Sequence, residues 1–391
     1  MKKTINALEF GTSKIVALVA ENGSDQRCDV IGAGCATYDG YLAGQWNSPG
    51  QVNDAIAKAI EEAEMQSKQK ITEISIGVPG DFCQVRTVEV KVSLQGTDPK
   101  VTARDVDELF RNATAALGDV RGHIIHRAPA WFIVDDGKKT LEPMGMRGSE
   151  LHCMVSFILA DPFFIDDVTY RLNSMRITVG GVFSTSIGEA SLFIPDEERQ
   201  RTTVFIDCGY LSTEIMTVEG DALTSLKVIP IGGGNISFEL AEGLNIHLNT
   251  AEQVKRQYVY GLTGGKTTLQ VTDTDGSTRE IARADAEKYI LPCAKELCEE
   301  IEKAISESGV HLSQWSCYFL TGGGMSLNRG GRDYLSAKLG RPVRDLPVKA
   351  MKLKNPVYSA AVGLLSLIVS TDVDYKNRKG LSGFFRSLVN A

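Results

Sequence analysis

Two stretches of the chain share one pattern of apolar and polar positions. In Thr203–Asp221 the apolar run Val204, Phe205, Ile206 meets an acid–x–glycine turn, Asp207-Cys208-Gly209. The hydroxyls Ser212 and Thr213, a second alternating run and an acidic turn at Glu219-Gly220-Asp221 follow. Ile5–Val19 repeats this with Glu9-Phe10-Gly11, the hydroxyls Thr12 and Ser13, Lys14 and a second apolar run. Apolar run, tight polar turn and apolar run predict a β-hairpin. Two such hairpins in matching contexts, about half a chain apart, predict a duplicated α/β architecture with a ligand between its halves.

The remaining pattern fills in this frame. Val30–Ala36 reads as a third strand, Val52–Gln66 as a helix with Ile56, Ala59, Ile60 and Ala63 on one face, and Ile74–Pro79 as a buried strand. From Phe82 the character changes. Val85–Leu94 alternates like a half-exposed strand, and Thr102–Leu117 is a helix that Thr102 or Asp105 can cap. The strands Ile124–Val134 and Leu151–Leu159 complete a compact α+β insertion. The large fold then resumes with helix Pro162–Met175, strand Thr178–Phe183, helix Gly188–Phe193 and strand Leu226–Ile231. Helices Asn235–Gly243 and Thr250–Tyr258, a polar hairpin over Thr267–Ile281 and a long helix Arg283–Gly309 come next. Strand Trp315–Leu320 runs into Thr321-Gly322-Gly323-Gly324. Helix Tyr334–Leu339, a loop at Pro342–Pro347 and a buried helix Ser359–Ser370 close the body. In the tail, Leu381, Phe384, Phe385 and Leu388 recur at helical spacing beside Arg386.

Composition narrows the functional classes. With 391 residues, two or more domains are expected. A net charge of −7 gives no basic surface, so nucleic acid is not an expected partner. The eight cysteines show no C-x-x-C pair, which favours reduced thiols over zinc or disulfides. Glu9 and Lys14 interrupt the first apolar stretch, unlike a signal peptide. Ser359–Ser370 is too short to span a bilayer.

Glu9–Lys14, Asp207–Thr213 and Thr321–Gly324 share one chemical logic. Glycines let backbone N–H groups approach a phosphate or a base, and paired carboxylates can hold a magnesium ion directly or through water. The arrangement resembles the actin-like ATPase superfamily. More specifically, LEFGTSKIVALV near the start, AEQVKRQYVYG at Ala251–Gly261 and FLTGGGMSL at Phe319–Leu327 resemble the FtsA family of bacterial cell-division proteins. So do HIIHRAPAWFIVDDG and PMGMRGSELH in the insertion, which look like that family's extra subdomain, and the amphipathic tail.

The resemblance implies an α/β, two-lobed actin-like fold with duplicated ribonuclease-H-like subdomains. Subdomain 1A would comprise 1–81, 161–198 and 339–370, the inserted 1C 82–160, 2A 199–232 and 310–338, and 2B 233–309. A linker (371–379) and a membrane-targeting helix (380–391) would follow. ATP with Mg would lie against Gly11, Thr12, Ser13, Lys14, Asp207, Gly209, Ser212 and Thr213. Gly232 and Gly233 would line the phosphate side, Glu252 and Lys255 the sugar or base, and Gly322, Gly323 and Gly324 the adenosine. Glu9 and Asp207 would serve the metal. By spacing alone, an i, i+3 charge pair such as Glu252 and Lys255 equally suits an exposed helix face. Tyr210 and Leu211 stand where the family has glycines, and Glu214 where it has aspartate. No glutamine or glutamate lies in Phe183–Ser186, where faster superfamily members orient water. Weakened ATP binding and at most weak hydrolysis are expected.

The implied partners are the C-terminal peptide of FtsZ, further copies of the chain in a filament, cytoplasmic-membrane lipids and later division proteins, at the cytoplasmic face of the division site. Leu381, Phe384, Phe385, Arg386 and Leu388 would bind the membrane. An ATP-dependent small-molecule kinase would need a catalytic base that the sequence does not offer. A pilus-assembly scaffold of the same superfamily is the other alternative.

Overall fold

From the N-terminus, β1 (Thr4–Phe10), β2 (Lys14–Asn22) and β3 (Cys28–Thr37) form an antiparallel meander. The short pair β4 (Tyr41–Leu42) and β5 (Gln45–Trp46), helix α1 (Pro49–Ser67) and strand β6 (Glu73–Val78) follow. Then come β7 (Cys83–Ser93), α2 (Ala103–Leu117), β8 (His123–Val134), β9 (Glu150–Ala160), α3 (Pro162–Ser174), β10 (Thr178–Ser184), α4 (Thr185–Phe193) and α5 (Asp196–Arg199). A second meander is built from β11 (Thr203–Cys208), β12 (Thr213–Glu219) and β13 (Ala222–Ile229). It leads to α6 (Gly233–Gly243), α7 (Leu248–Gln257), the hairpin β14 (Thr268–Thr272) and β15 (Thr278–Ala282), and α8 (Arg283–Glu307). The chain continues through β16 (Tyr318–Thr321), α9 (Gly331–Leu339), β17 (Val343–Asp345) and α10 (Ser359–Lys376). The computed structural model describes residues 4–22, 28–262, 267–346 and 355–376.

The duplication predicted from the two hairpins is present in the sheets. The first runs β3-β2-β1-β6-β10 and the second β13-β12-β11-β16-β17. In each, a three-stranded antiparallel meander continues into two parallel strands. The acid–x–glycine turns therefore occupy equivalent places, between the first two strands of each sheet. The Gly80 turn after β6 is the counterpart of the Gly322–Gly324 turn after β16.

Apolar periodicity explains most of the packing. Helix α1 begins with Pro49 in its first turn, where a missing N–H costs nothing. Its stripe of Val52, Ile56, Ala59, Ile60 and Ala63 is buried in the core that holds Leu8, Phe10 and Ile76. Helix α10 covers the opposite face of the first sheet, packing Leu364, Leu365 and Ile368 against Ala7, Val16 and Leu18. Among the described residues no helix is long and apolar enough to cross a membrane.

Residues 83–160 form the antiparallel sheet β7-β9-β8. Helix α2 seals one face with Val106, Leu109, Phe110 and Ala113. Asp105 accepts from the N–H and hydroxyl of Thr102, which caps the helix as the sequence predicted. The other face rests on the second sheet. Ala128, Ala130 and Trp131 pack on Ala222, and Ser156 Oγ donates to Leu223 O. At the β12–β13 turn, Gly220 has φ +61°, and a Cβ there would collide with Ala130 O.

Three expectations need correction. The stretch read as a loop at Pro342–Pro347 contains β17, the fifth strand of the second sheet. Three residues with one apolar side chain, at a sheet edge, give no readable pattern. Trp315 is not in a strand; it is 66% exposed, and β16 begins at Tyr318. Helix α4 starts at Thr185 rather than Gly188, capped by Ser184, whose side chain accepts from Ile187 N–H. All residues from Thr185 to Ala190 are buried, so no apolar stripe marked its beginning.

Candidate functional site

The two hairpin turns, the Gly80 turn and the Gly322–Gly324 turn converge on a cleft of about 160 Å³ between the sheets. Both hairpins close in the same way: Gly11 N–H donates to Lys14 O at 2.9 Å, and Gly209 N–H to Ser212 O at 3.0 Å. The first is braced from below by Tyr38, whose hydroxyl donates to Gly11 O at 2.8 Å, and Tyr41, which donates to Phe10 O at 2.9 Å. The second is braced by the start of α6, with Gly233 N–H on Gly209 O and Gly234 N–H on Tyr210 O. Gly324 N–H donates to Cys208 O, and at Gly322 (φ +82°) a Cβ would strike Asp207.

Of the residues predicted for the site, Glu9, Gly11, Thr12, Ser13, Lys14, Asp207, Gly209, Ser212, Glu252, Lys255, Gly322, Gly323 and Gly324 line this cleft. Thr213, Gly232 and Gly233 are not among its lining residues. Thr213 Oγ1 donates to Ile231 O, and the two glycines pack behind the second loop. Glu252 and Lys255 are not an exposed helix face. Lys255 is buried, with Nζ 2.6 Å from Glu252 Oε2 and donating to Gly233 O at 2.8 Å. Burial pulls its ammonium pKa below the ordinary lysine range. The residues Leu381, Phe384, Phe385, Arg386 and Leu388 lie outside the described residues.

The structure adds Asp81 and Glu189, which sequence reasoning missed, and brings in Glu214, which it had singled out only as a departure from the family. Glu189 and Glu214 join Glu9 and Asp207 on the cleft lining, and Asp81 accepts from the lining residue Ser212. Burial pushes Glu9 up to about 8, against the pull of Lys14. Burial also lifts Asp207 to about 6, while Lys14 and a hydrogen bond with Glu189 oppose the rise. Glu214 rises to about 7 through burial and then the nearby Asp207, and Asp81 rises to about 6 through burial. Glu189 is driven well above the carboxylate range by burial, so it holds its proton, and its Oε1 has no hydrogen-bond partner. Glu214 was findable, since it follows the second turn directly. Asp81 adjoins the Pro79-Gly80 turn, whose equivalence to Gly322–Gly324 only the sheet order reveals. Glu189 had no signal, because α4 has no periodicity to place it.

Nucleotide chemistry fits these residues in part. Lys14 and the carboxyls of Glu9 and Asp207 face the cleft, where they could meet a phosphate and a hydrated cation. Among the described residues no group of three His, Cys, Asp or Glu could hold a metal by itself. In the second loop, the N–H groups of Tyr210 and Leu211 are engaged by Thr12 Oγ1 at 3.3 and 3.0 Å. The ring of Tyr210 packs edge-on against Phe238, 5.9 Å between centroids.

Comparison with known proteins places this geometry. A chain of the PilM-PilN type IV pilus biogenesis complex superposes with a TM-score of 0.62 at 18% identity, covering 94% of this chain and 99% of that one. The ethanolamine utilization protein EutJ from Carboxydothermus hydrogenoformans follows at 0.53 and 12% identity, covering 93% of this chain and 89% of its own. The fold is actin-like. In sequence, residues 204–363 match the family model for cell division protein FtsA, and residues 80–159 match the SHS2 domain inserted in FtsA. The cell division protein FtsA of Pseudomonas aeruginosa is 25% identical over 372 residues, 93% of this chain and 88% of the relative. That of Neisseria meningitidis serogroup B is 23% identical over 373 residues, 93% and 90%. Escherichia coli K12 FtsA is 22% identical over 382 residues, again 93% and 90%. With two FtsA models that together span more than half of the chain, and FtsA relatives that align along nearly all of it, the chain belongs to the FtsA family of cell-division proteins.

Proposed function

We propose that this protein self-assembles and tethers the FtsZ ring to the inner face of the cytoplasmic membrane at the division site. The observation that carries the reading is its membership of the FtsA family along nearly its whole length. The chain would bind the FtsZ C-terminal peptide on subdomain 2B (233–309). There, Asn235 and Glu239 of α6 and Tyr289 and Glu296 of α8 line an open groove. Subdomain 1C (82–160) would meet a neighbouring subunit or later division proteins.

The tail supplies the anchor. One large apolar side chain contributes about 1.5–3 kcal/mol on burial, and each basic residue near an anionic leaflet about 1 kcal/mol. Ordering the helix costs about 1–2 kcal/mol per residue. A single tail therefore binds weakly, and a polymer carrying many binds firmly. ATP with Mg is the ligand whose place the cleft occupies, with Gly11–Lys14, Asp207 and Gly322–Gly324 as its contacts. Tyr210 and Leu211 weaken it, and its state would set assembly rather than turnover.

Liposome flotation tests the tether. The full chain should float with anionic vesicles, and a chain lacking Gly380–Ala391 should stay at the bottom. Equal flotation of the two removes the tether mechanism. The pilus-assembly scaffold of the same superfamily is the alternative reading, and the likeness to the pilus-complex chain, at 18% identity, bears on the fold alone. Capture by immobilised FtsZ C-terminal peptide separates the two.

A further inference from the structure

A set of hydrogen bonds crosses the cleft from one half of the fold to the other. Thr12 Oγ1, on the first hairpin, accepts from Tyr210 N–H at 3.3 Å and Leu211 N–H at 3.0 Å on the second. Glu214, from the second sheet, reaches back. Its Oε1 accepts from Gly80 N–H at 2.8 Å and its Oε2 from Ser186 Oγ at 2.7 Å. Ser212 Oγ donates to Asp81 Oδ2 at 3.2 Å. A Cβ on residue 80 would lie 2.5 Å from Glu214 Cδ, so this approach needs the glycine found there.

The pattern of donors is informative. Successive backbone N–H groups in a tight turn form a nest that attracts an anion. In the second hairpin those groups point at a hydroxyl oxygen supplied by the opposite half of the molecule. Behind them, the N–H groups of Gly233 and Gly234 at the start of α6 are taken by Gly209 O and Tyr210 O. The cations nearest the base side are also engaged: Lys255 with Glu252 and Gly233 O, and Arg256 Nε with Glu252 Oε1 at 2.8 Å.

We infer that the cleft is a self-closing clasp. Thr12 Oγ1 stands where an anion's oxygen would sit, and Glu214 ties the second sheet to the Gly80 turn and to α4. The two halves therefore keep their closed arrangement without a nucleotide, and an anion entering the second loop must first displace Thr12. The inference stands apart from the membrane-tether reading, since every contact in it is within one chain.

Hydrogen exchange read at single amides by electron-transfer fragmentation tests it on the full chain in metal-free buffer. Without nucleotide, Tyr210 and Leu211 should exchange at least about tenfold more slowly than in an open chain, and millimolar Mg-ATP should change this by less than about twofold. Thr12→Val should abolish the protection at both amides, and Thr12→Ser should keep it. Free exchange that becomes protected only with Mg-ATP overturns the clasp. So does a folded Thr12→Val that matches wild type. If Thr12→Val fails to fold, the nucleotide response of wild type decides the question alone. Neither vesicles nor the FtsZ peptide enter the measurement, so its outcome is separate from that of flotation.

Discussion

The β1–β2 and β11–β12 turns are one backbone device used twice, and they differ in what surrounds them. Each closes on a glycine N–H to a carbonyl three residues later, at 2.9 and 3.0 Å, and each leaves the same position in a sheet of the same order. The first turn is propped by two tyrosines of its own half, Tyr38 and Tyr41. The second packs the ring of Tyr210 on Phe238 and is tied through its backbone to α6 and the Gly322–Gly324 turn. Duplication has preserved the hydrogen-bonded frame, and the side chains decide whether its N–H groups face a ligand or the other half of the protein.

The largest effect that separates the two turns is expected with pH. Glu9 beside the first turn is raised to about 8, and Glu214 after the second to about 7, chiefly by burial. A buried carboxyl with a raised pKa keeps its proton in the fold longer than in the unfolded chain. The folded state then binds more protons, so stability falls as pH rises. Each contribution is fully present below the ordinary carboxyl pKa of about 4.5 and is lost through the raised value. Chemical denaturation in metal-free buffer should show stability declining from pH 5 to pH 8, by an amount on the order of 1.4 kcal/mol per unit for each titrating group. Glu214→Gln should remove the share lost by about pH 7, whereas Glu9→Gln should flatten the curve further, up to about pH 8. A profile that rises over this range contradicts the burial that both values rest on.

A smaller effect comes from the glycines. A Cβ at Gly11 would lie 3.2 Å from Lys14 O, while one at Gly209 would lie 2.8 Å from Ser212 O. Gly209→Ala should therefore cost about 1–3 kcal/mol, as overpacking does, and Gly11→Ala less than about 1 kcal/mol. Thermal unfolding of the two variants measures the difference. Equal losses would mean that the second turn is no more tightly packed than the first.

How much of this was legible in the sequence follows from where periodicity exists. Strands and helices with one wet face were readable, so both meanders, α1, α2 and α8 stood out, and the repeated acid–x–glycine turns implied the duplication. The first six residues of α4 are all buried and β17 is three residues long, so neither start has a pattern to read. The site was legible where a turn motif names its residues. It was illegible where side chains arrive from elements distant in sequence, as Glu189 does from α4 and Asp81 from the Gly80 turn. Lys255, expected at the sugar or base, does line the cleft, yet its burial was not legible from spacing. An i, i+3 charge pair looks alike on a wet face and on one that buries its lysine against a backbone carbonyl.

The smallest effect concerns chain length at a single position. Glu214 spans the cleft by accepting from Gly80 N–H with one oxygen and from Ser186 Oγ with the other. Aspartate, expected at this position from the family resemblance, is one methylene shorter. From the same backbone in β12 it cannot keep both partners at 2.8 and 2.7 Å. Glu214→Asp should lose one of the two bonds at a net cost of about 0.5–1.5 kcal/mol. Because the first turn has no matching cross-cleft carboxylate, Glu9→Asp should leave the Gly80 amide protected. The discriminating measurement is hydrogen exchange at Gly80. It should quicken in Glu214→Asp and stay slow in Glu9→Asp. Unchanged protection in Glu214→Asp would show that the extra methylene is not what holds the two halves together at this point.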